Sequence, residues 1–520
     1  MAKPTSTTTI AAASEYTERS HSEIMVIISA LMLAVLLGAL DQTIVSTALP
    51  KIASDLNGLN KLAWVATAYL LTSAIVTPIY GKLGDMFGRK KIFQFAIVLF
   101  LIGSALCGIS QNMDQLVAFR ALQGLGGGGL ISLALAIIGD VVPPRQRGRY
   151  QGYFGAVFGV SSIAGPLLGG LLTEHLSWRW IFYVNVPLGA LALAAIATRL
   201  HLPVRQSTAK FDYVGAVLMS AWAICLLTAL TLGGTSYHWG STQIVGLFIG
   251  FGVLLASFIS WETKVQEPIL PLRLFKNSIF TVSSILSGLA GLILLGTIIF
   301  LPEYQQIVRG DSPTLSGLYL LPFVGGLFVA SLSSGRLISK FGRYRIFPII
   351  GTLIVSLGLF LFSHVTVSTS QWLLSLWMVI TGFGVGSFMQ VMTLAVQNSV
   401  ERSLLGTGTA IVTYFRSLGS SLGTAIFGVI LTNRLTVHLK QLAPHAAAKG
   451  STLLSNTSAL AKLPASTRQS ILIAFSKSFH DVFLAAVPFA LFAFFVALFL
   501  KEAPLRNSTK QEVEADVVGV

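Results

Sequence analysis

Charge is scarce in this chain. Only 11% of its 520 residues are Asp, Glu, Lys or Arg, against about 25% in an average soluble domain. Apolar residues make up 53% and the mean hydropathy is +0.76. A soluble protein of this length cannot hide so much apolar surface, because a large share of its residues must meet water. The low hydropathy of a disordered chain is missing as well. Two cysteines, Cys107 and Cys225, both inside apolar runs, cannot provide a disulfide framework. No GxxxxGK[ST] stretch occurs, which argues against an ATP-driven pump. The eight histidines lack metal-ligand spacing, and no catalytic dyad stands out, so neither a metal centre nor an enzyme is expected. What remains is a polytopic membrane protein. A net charge of +15 would suggest a nucleic-acid partner in a soluble protein. Here the cations sit in short loops between apolar runs, so membrane topology accounts for them and no nucleic acid is expected.

A spanning helix needs about 20 mostly apolar residues. Fourteen such runs lie near 24–46, 62–80, 92–110, 116–138, 151–173, 181–200, 213–234, 241–261, 278–302, 314–335, 346–367, 372–396, 404–431 and 479–500. The polar head 1–23 carries acids, and the first run is long enough to span, so no cleavable signal peptide is expected. Lys and Arg mark alternate loops. Of the 35, one side with the two tails collects 23, whereas the opposite short loops hold only Lys51, Lys61, Arg179 and Arg309. A long loop, 432–478, adds six, but long loops count little. Arg120 and Arg416 remain, each inside an apolar run. Both termini are therefore expected in the cytoplasm of a multi-pass protein in the lipid bilayer.

The chain repeats itself. Gly81-Lys-Leu-Gly-Asp-Met-Phe-Gly-Arg-Lys-Lys91 follows the second run, and Gly335-Arg-Leu-Ile-Ser-Lys-Phe-Gly-Arg-Tyr-Arg345 follows the tenth. Leu49-Pro50 and Leu301-Pro302 end the first and ninth runs, and Gly124 to Gly128 and Gly382 to Gly386 correspond in the fourth and twelfth. Runs 1–6 thus read as duplicated in runs 9–14. The organisation expected is a tail at 1–23, a six-helix half over 24–202, two inserted helices over 203–277, a second half over 278–500 and a tail at 501–520. Two homologous membrane halves around a central site are a transporter layout.

The residues that carry this pattern also resemble a known family. Leu40-Asp-Gln-Thr-Ile-Val-Ser-Thr-Ala-Leu-Pro-Lys-Ile52, Gly81 to Lys91, Arg120-Ala-Leu-Gln-Gly124 and Gly159 through Gly165-Pro166 to Gly170 are similar to motifs of the major facilitator superfamily. The first and last resemble its fourteen-span drug:proton antiporters of the EmrB/QacA type, as does Trp178 to Gly189. The likeness runs from about 24 to 500. It implies an all-α major facilitator fold of two six-helix halves plus two inserted helices. It also implies a plasma-membrane exporter driven by the proton gradient, with no further cofactor.

Asp41 lies inside the first run, where an ionised carboxylate costs about 2.5–3.5 kcal/mol on insertion scales. It must face the bundle interior or water, as a proton-exchanging group or as a structural acid paired to a cation. The resemblance implies a part in proton coupling. Arg120, a few residues into the fourth run with Gln123 one turn on, is its natural partner, and snorkelling to the outer surface is the alternative. Glu303 closes the ninth run beside Pro302 and before Tyr304. It reads as a second proton site, a recognition point for cations, or an interfacial acid paired with Arg309. Asp85 and Arg89 stand four apart, in register to pair on one turn, with Asp140 at the inner end of the fourth run. The resemblance implies that they form a cytoplasmic gate with Gly81 and Gly88, while basic residues in this loop also serve topology. Ser339 replaces the Asp in the second copy, so a matching latch there should be weaker. Gly155, Gly159, Gly165, Pro166, Gly169 and Gly170 form a hinge or tight gate in the fifth run, or close packing alone. Gln123, Tyr304, Phe415 and Arg416 are candidates to line the substrate cavity, with Trp64 and Tyr69 as further possible liners.

Two formal matches mislead. Gly124, Gly126 and Gly129 fit a dinucleotide pattern, and Gly419 to Gly423 fit a nucleophile elbow, yet both lie inside apolar runs where packing explains them. Asn456-Thr-Ser458 is a glycosylation sequon in the long loop. The leading expectation is a proton-coupled exporter of amphiphilic or cationic compounds working by alternating access. A dedicated exporter of one metabolite, siderophore or antibiotic is the alternative, and a ligand-binding membrane sensor is the reading from another class. Adaptor proteins, substrate identity and the role of the inserted helices are not written in these residues.

Overall fold

A computed structural model describes residues 21–56, 61–200, 202, 210–234, 237–442 and 464–505. Among them the protein is all-helical, with no β-strand. The helices are α1 (His21–Asp55), α2 (Leu62–Phe87), α3 (Arg89–Ile109), α4 (Met113–Val141), α5 (Pro144–His175) and α6 (Trp180–Arg199). The inserted pair is α7 (Tyr213–Leu232) and α8 (Thr242–Glu262). Then come α9 (Ser278–Tyr304), α10 (Leu321–Phe341), α11 (Ile346–Phe362), α12 (Gln371–Ser399), α13 (Leu405–Leu442) and α14 (Ala465–Leu498). Thirteen are long and apolar enough to span a bilayer, and the 17-residue α11 is the fourteenth.

Local sequence sets the helix starts. Asn112, Asp212, Ser241, Asn277 and Ser370 each accept a hydrogen bond from a backbone N–H of the first turn they precede. Pro144 opens α5, where its missing N–H costs nothing. Gly88 breaks α2 from α3 with φ of 93°, a conformation that a side chain would strain.

Packing follows the repeat. α1 pairs with α5 and α2 with α4 in the first half, as α9 pairs with α13 and α10 with α12 in the second. The halves then meet crosswise, α2 on α13 and α5 on α10. One apolar core gathers Leu31, Phe93, Phe100 and Leu133, and a second gathers Ile293, Phe323, Phe362 and Phe479. The inserted α7 and α8 form their own pair. Trp222 and Phe258 pack there with Ile75 of α2 and Tyr414 of α13.

Three sequence expectations need correction. Leu49-Pro50 and Leu301-Pro302 do not end their helices. α1 continues to Asp55, and α9 to Tyr304 and then into a π-turn, Gln305–Arg309. The stretch 432–478 is not a loop throughout, because α13 runs to Leu442 and α14 begins at Ala465. Leu431, Leu435 and Leu439 recur every four residues and are buried, in one cluster with Ile471, Phe475 and Phe479 of α14. Helix amphipathicity therefore carries both elements past the apolar runs, and Asp481 clips them together through Arg434 at 3.7 Å and His438 at 2.9 Å. The sequon at 456–458 and most of both tails lie outside the described residues.

Candidate functional site

Asp41 sits in the middle of α1 without solvent exposure. Its Oδ2 accepts from Arg120 Nη1 at 2.6 Å. Its Oδ1 accepts from Gln123 Nε2 at 2.8 Å and from Asn185 Nδ2 at 3.1 Å. Arg120 Nη1 also reaches Gln123 Oε1 at 2.7 Å, and its Nε donates to the Val65 carbonyl at 3.1 Å. The guanidinium lies 4.4 Å from the Tyr69 ring centroid. Asn185 Nδ2 further donates to Ser104 Oγ at 3.0 Å, and Ser104 to the Phe182 carbonyl at 2.9 Å. α1, α3, α4 and α6 thus meet at one closed polar network, and α2 covers the guanidinium with Tyr69. The pair is neutral as a unit. Removing one member of such a buried pair costs about 3–5 kcal/mol, because it strands the other charge.

The helix ends around Gly88 and Asp140 hold a second network. Arg89 pairs with Asp85 at 2.9 Å and with Asp140 at 2.9 Å. Asp85 then crosses to the other half. It accepts from the backbone N–H of Gly406 at 3.0 Å, from that of Thr407 at 2.7 Å and from Thr407 Oγ1 at 2.8 Å. These N–H groups begin α13, where a helix favours negative charge. Gly81 lies against Ala410 and Gly406 with no room for a side chain. Nearby, Arg147 donates to the carbonyls of Val142, Gly139 and Gln397, the last at 3.2 Å. Gln397 Nε2 donates to the Leu135 carbonyl at 2.9 Å and to Thr409 Oγ1 at 3.1 Å, while its Oε1 accepts from Gln151 at 2.9 Å. The seam between the halves is therefore closed at this end.

The glycines of α5 divide between two neighbours. Gly155 and Gly159 face Ser331 and Val324 of α10 across the seam. Gly165 and Gly169 face Thr43 and Thr47 of α1, and Thr43 Oγ1 donates to the Ser161 carbonyl at 2.9 Å. Gly170 has open space beside it, so close packing does not explain it. Pro166 lies inside α5 without ending it.

The cavity-lining expectations separate. Gln123 belongs to the Asp41 network. Tyr304 is fully buried in the second half and donates to the Thr366 carbonyl at 2.7 Å, with Phe479 against its ring, so it faces no central space. Phe415 packs on Phe275, 6.2 Å between centroids, because its angle around α13 turns it away from the axis. Arg416 alone lies on the central face of α13. Glu303 is half-buried near the end of α9. The pairing with Arg309 is not made, since that guanidinium goes instead to the Thr369 carbonyl at 2.6 Å and to Asp311 at 3.5 Å.

Sequence reasoning passed over Asn185, Ser104, Thr407, Gln151 and Gln397. Neutral amides and hydroxyls in apolar runs carry no local signal, although Asn185 stands in the Trp178 to Gly189 segment that the resemblance singled out.

The Major Facilitator Superfamily model matches residues 31–424. This chain belongs to the major facilitator superfamily. It is 42% identical to an uncharacterized MFS-type transporter of Mycobacterium tuberculosis, over 93% of this chain and 70% of that one. It is 38% identical to multidrug resistance protein 3 of Bacillus subtilis, over 94% of this chain and 98% of that one. Multidrug transporter protein MdtP of the same species is 35% identical, over 95% and 96%. Among solved structures, a human organic anion transporter, MFSD10, superposes with a TM-score of 0.61 at 14% identity, over 91% of this chain and 99% of that one. A proton:xylose symporter, XylE, superposes with a TM-score of 0.60 at 15% identity, over 96% and 99%. These two show the fold. The protein is thus a multi-pass transporter of a family whose members are carriers rather than enzymes, with multidrug efflux proteins among its relatives.

Proposed function

We propose that this carrier exports amphiphilic compounds, cationic ones included, in exchange for protons across the plasma membrane, with both termini in the cytoplasm. The relatives from Bacillus subtilis support multidrug efflux. The observation that carries proton coupling is the closed Asp41 network in mid-membrane. A proton arriving at Asp41 cancels the carboxylate's charge, breaks the pair and leaves Arg120 to seek another partner. The change reaches the seam through packing. Thr43, two residues from Asp41, is hydrogen-bonded to α5, and α5 closes the seam against α10. Loss of the pair therefore biases a two-state packing of the halves, which is what alternating access requires. The proton gradient supplies the work. Small molecule, proton and bilayer are the partners this scheme needs, and no adaptor enters it. Glu303 at the outer end of α9 provides a carboxylate for cationic substrates or a second proton.

The test uses purified protein in liposomes holding an internal pH dye, with ethidium and an uncharged amphiphile added separately. Substrate-evoked proton movement is expected for the wild type and absent for Asp41→Asn. Uphill transport by Asp41→Asn, or substrate movement without protons in the wild type, overturns the mechanism.

A further inference from the structure

Arg416 is an intramembrane charge left without a counter-charge among the described residues. Asp41 and Arg120 neutralise each other, and both Asp41 oxygens are occupied. Arg416 has no such relief. Among the described residues no hydrogen bond, ion pair or aromatic face is found at its guanidinium, and the residue is half-buried rather than enclosed. Its level in the membrane is set by Gly291 of α9, which packs against the Arg416 carbonyl. Glu303 is twelve residues further along α9, about 18 Å away at 1.5 Å per residue, beyond the side chain's reach. Asp85 is engaged with Gly406 and Thr407, about two and a half turns toward the cytoplasm.

Helix geometry fixes the direction in which Arg416 projects. Thr409 of α13 meets Gln397, which bonds at once to α4 and α5, so the Thr409 face points at the junction of the halves. Seven residues on, Arg416 returns to the same face, two turns outward of the seam. This face is polar along its length. Thr413, Ser417 and Thr424 continue it, and their hydroxyls each donate to the carbonyl four residues back. Hydroxyls so satisfied leave the guanidinium as the unmet group. An uncompensated Arg at this depth costs about 2.5–3.5 kcal/mol on insertion scales, which an incoming anion would offset.

We infer that Arg416 is the anchoring site for the anionic headgroup of an amphiphilic substrate, a carboxylate, sulfonate or phosphate ester, held by the guanidinium fork between the halves. The inference rests on the export reading and extends it: acidic amphiphiles join the substrate class through Arg416, with Glu303 about 18 Å away along α9.

The experiment is equilibrium binding to the full chain in nanodiscs without any gradient, so that it reads the anion site and not proton coupling. The probes are 11-(dansylamino)undecanoate and its uncharged amide, with empty nanodiscs subtracted. The wild type should bind the carboxylate at least tenfold tighter than the amide. Arg416→Gln should erase that difference and leave the amide Kd unchanged, and Arg416→Lys should keep most of it. Asp41→Asn should preserve the headgroup preference even where it abolishes proton exchange, which separates this site from the coupling mechanism. Equal binding of the two probes by the wild type, no saturable binding of the carboxylate, or an equal loss of both probes in Arg416→Gln overturns the inference. Adding phosphatidylglycerol should leave the carboxylate Kd within twofold, and a competitive rise would assign the site to lipid phosphate and overturn it as a substrate site.

Discussion

The two halves of the molecule share a helix plan and differ in where they keep charge. The offset of 252 residues that relates Leu49-Pro50 to Leu301-Pro302 places Ile293 opposite Asp41. The offset of 258 that relates Gly124 to Gly382 places Met378 opposite Arg120 and Thr381 opposite Gln123. Ile293 and Met378 are buried core residues, and the Thr381 hydroxyl bonds only to its own helix, at Trp377, 2.8 Å. The same backbone arrangement is thus built once around an ion pair and once around hydrocarbon. Apolar packing is enough to hold it. The ion pair in the first half is therefore surplus to the fold, and a costly buried pair that the fold does not require points to work done by its charge.

Exchanging the solutions tests this most severely. Asp41→Ile with Arg120→Met writes the second half's chemistry into the first. The double variant should remain folded, with a Tm within a few degrees of wild type, and should lose proton-coupled transport by at least a hundredfold. Arg120→Met alone should be the less stable protein, by about 3–5 kcal/mol, because it strands Asp41 unpaired. Thermal unfolding of detergent-solubilised protein beside the liposome assay distinguishes them. A double variant that unfolds as readily as the single one would mean the pair is structural.

The two copies of the glycine motif, at Gly81 and Gly335, give a milder contrast. In the first copy Asp85 caps the start of α13 with three hydrogen bonds. In the second copy Ser339 stands in its place, and its hydroxyl bonds to the Gly335 carbonyl of its own helix. No side chain caps the start of α5, and Arg145 holds the two segments together from the other direction, donating to the carbonyls of Ser339 at 3.1 Å and Lys340 at 3.2 Å. Asp85→Ala should therefore weaken the closed seam by about 1–3 kcal/mol, the range for charged hydrogen bonds lost at a helix start. Spin labels on the seam ends of α2 and α13 would read the shift as an about fivefold or larger rise in the open population. Ser339→Asp should close the seam further, by about 0.3–1 kcal/mol at this more exposed position.

These contrasts also show what the sequence could and could not convey. Spans, repeat and membrane acids were legible because apolar runs, glycine patterns and isolated charges are local signals. Asp41 and Arg120 stood out for the cost of charge in hydrocarbon. Gln123 was legible by its place one turn from Arg120, but Asn185 was not. Asn185 matters only because the folded helices bring it to Asp41, and nothing local distinguishes it from any amide. Tyr304 and Phe415 were misplaced for a related reason, since facing the axis depends on helix rotation, which adjacency to Glu303 or Arg416 does not fix. Arg434 and Lys440 read as loop charges, because the leucines at every fourth residue that bury this stretch of α13 are too sparse to make an apolar run.

The smallest effect concerns the inserted helices. Lys82, near the end of α2, is almost fully buried and pairs at 2.6 Å with Glu267, just beyond α8. Lys82's counterpart in the second copy is Arg336, an exposed side chain. Among the described residues, the inserted pair thus reaches the first copy of the motif by charge and not the second. Glu267 is 45% exposed, which places the bond in the weak range for solvent-screened pairs, about 0–1 kcal/mol. Glu267→Gln should therefore change Tm by no more than about two degrees, yet shift the open population of the seam measurably, less than fivefold, because Lys82 lies one residue from Gly81 at the α13 contact. A shift as large as that of Asp85→Ala would promote the inserted helices from bystanders to part of the gate. No shift at all would mean that they ride on the first half without steering it.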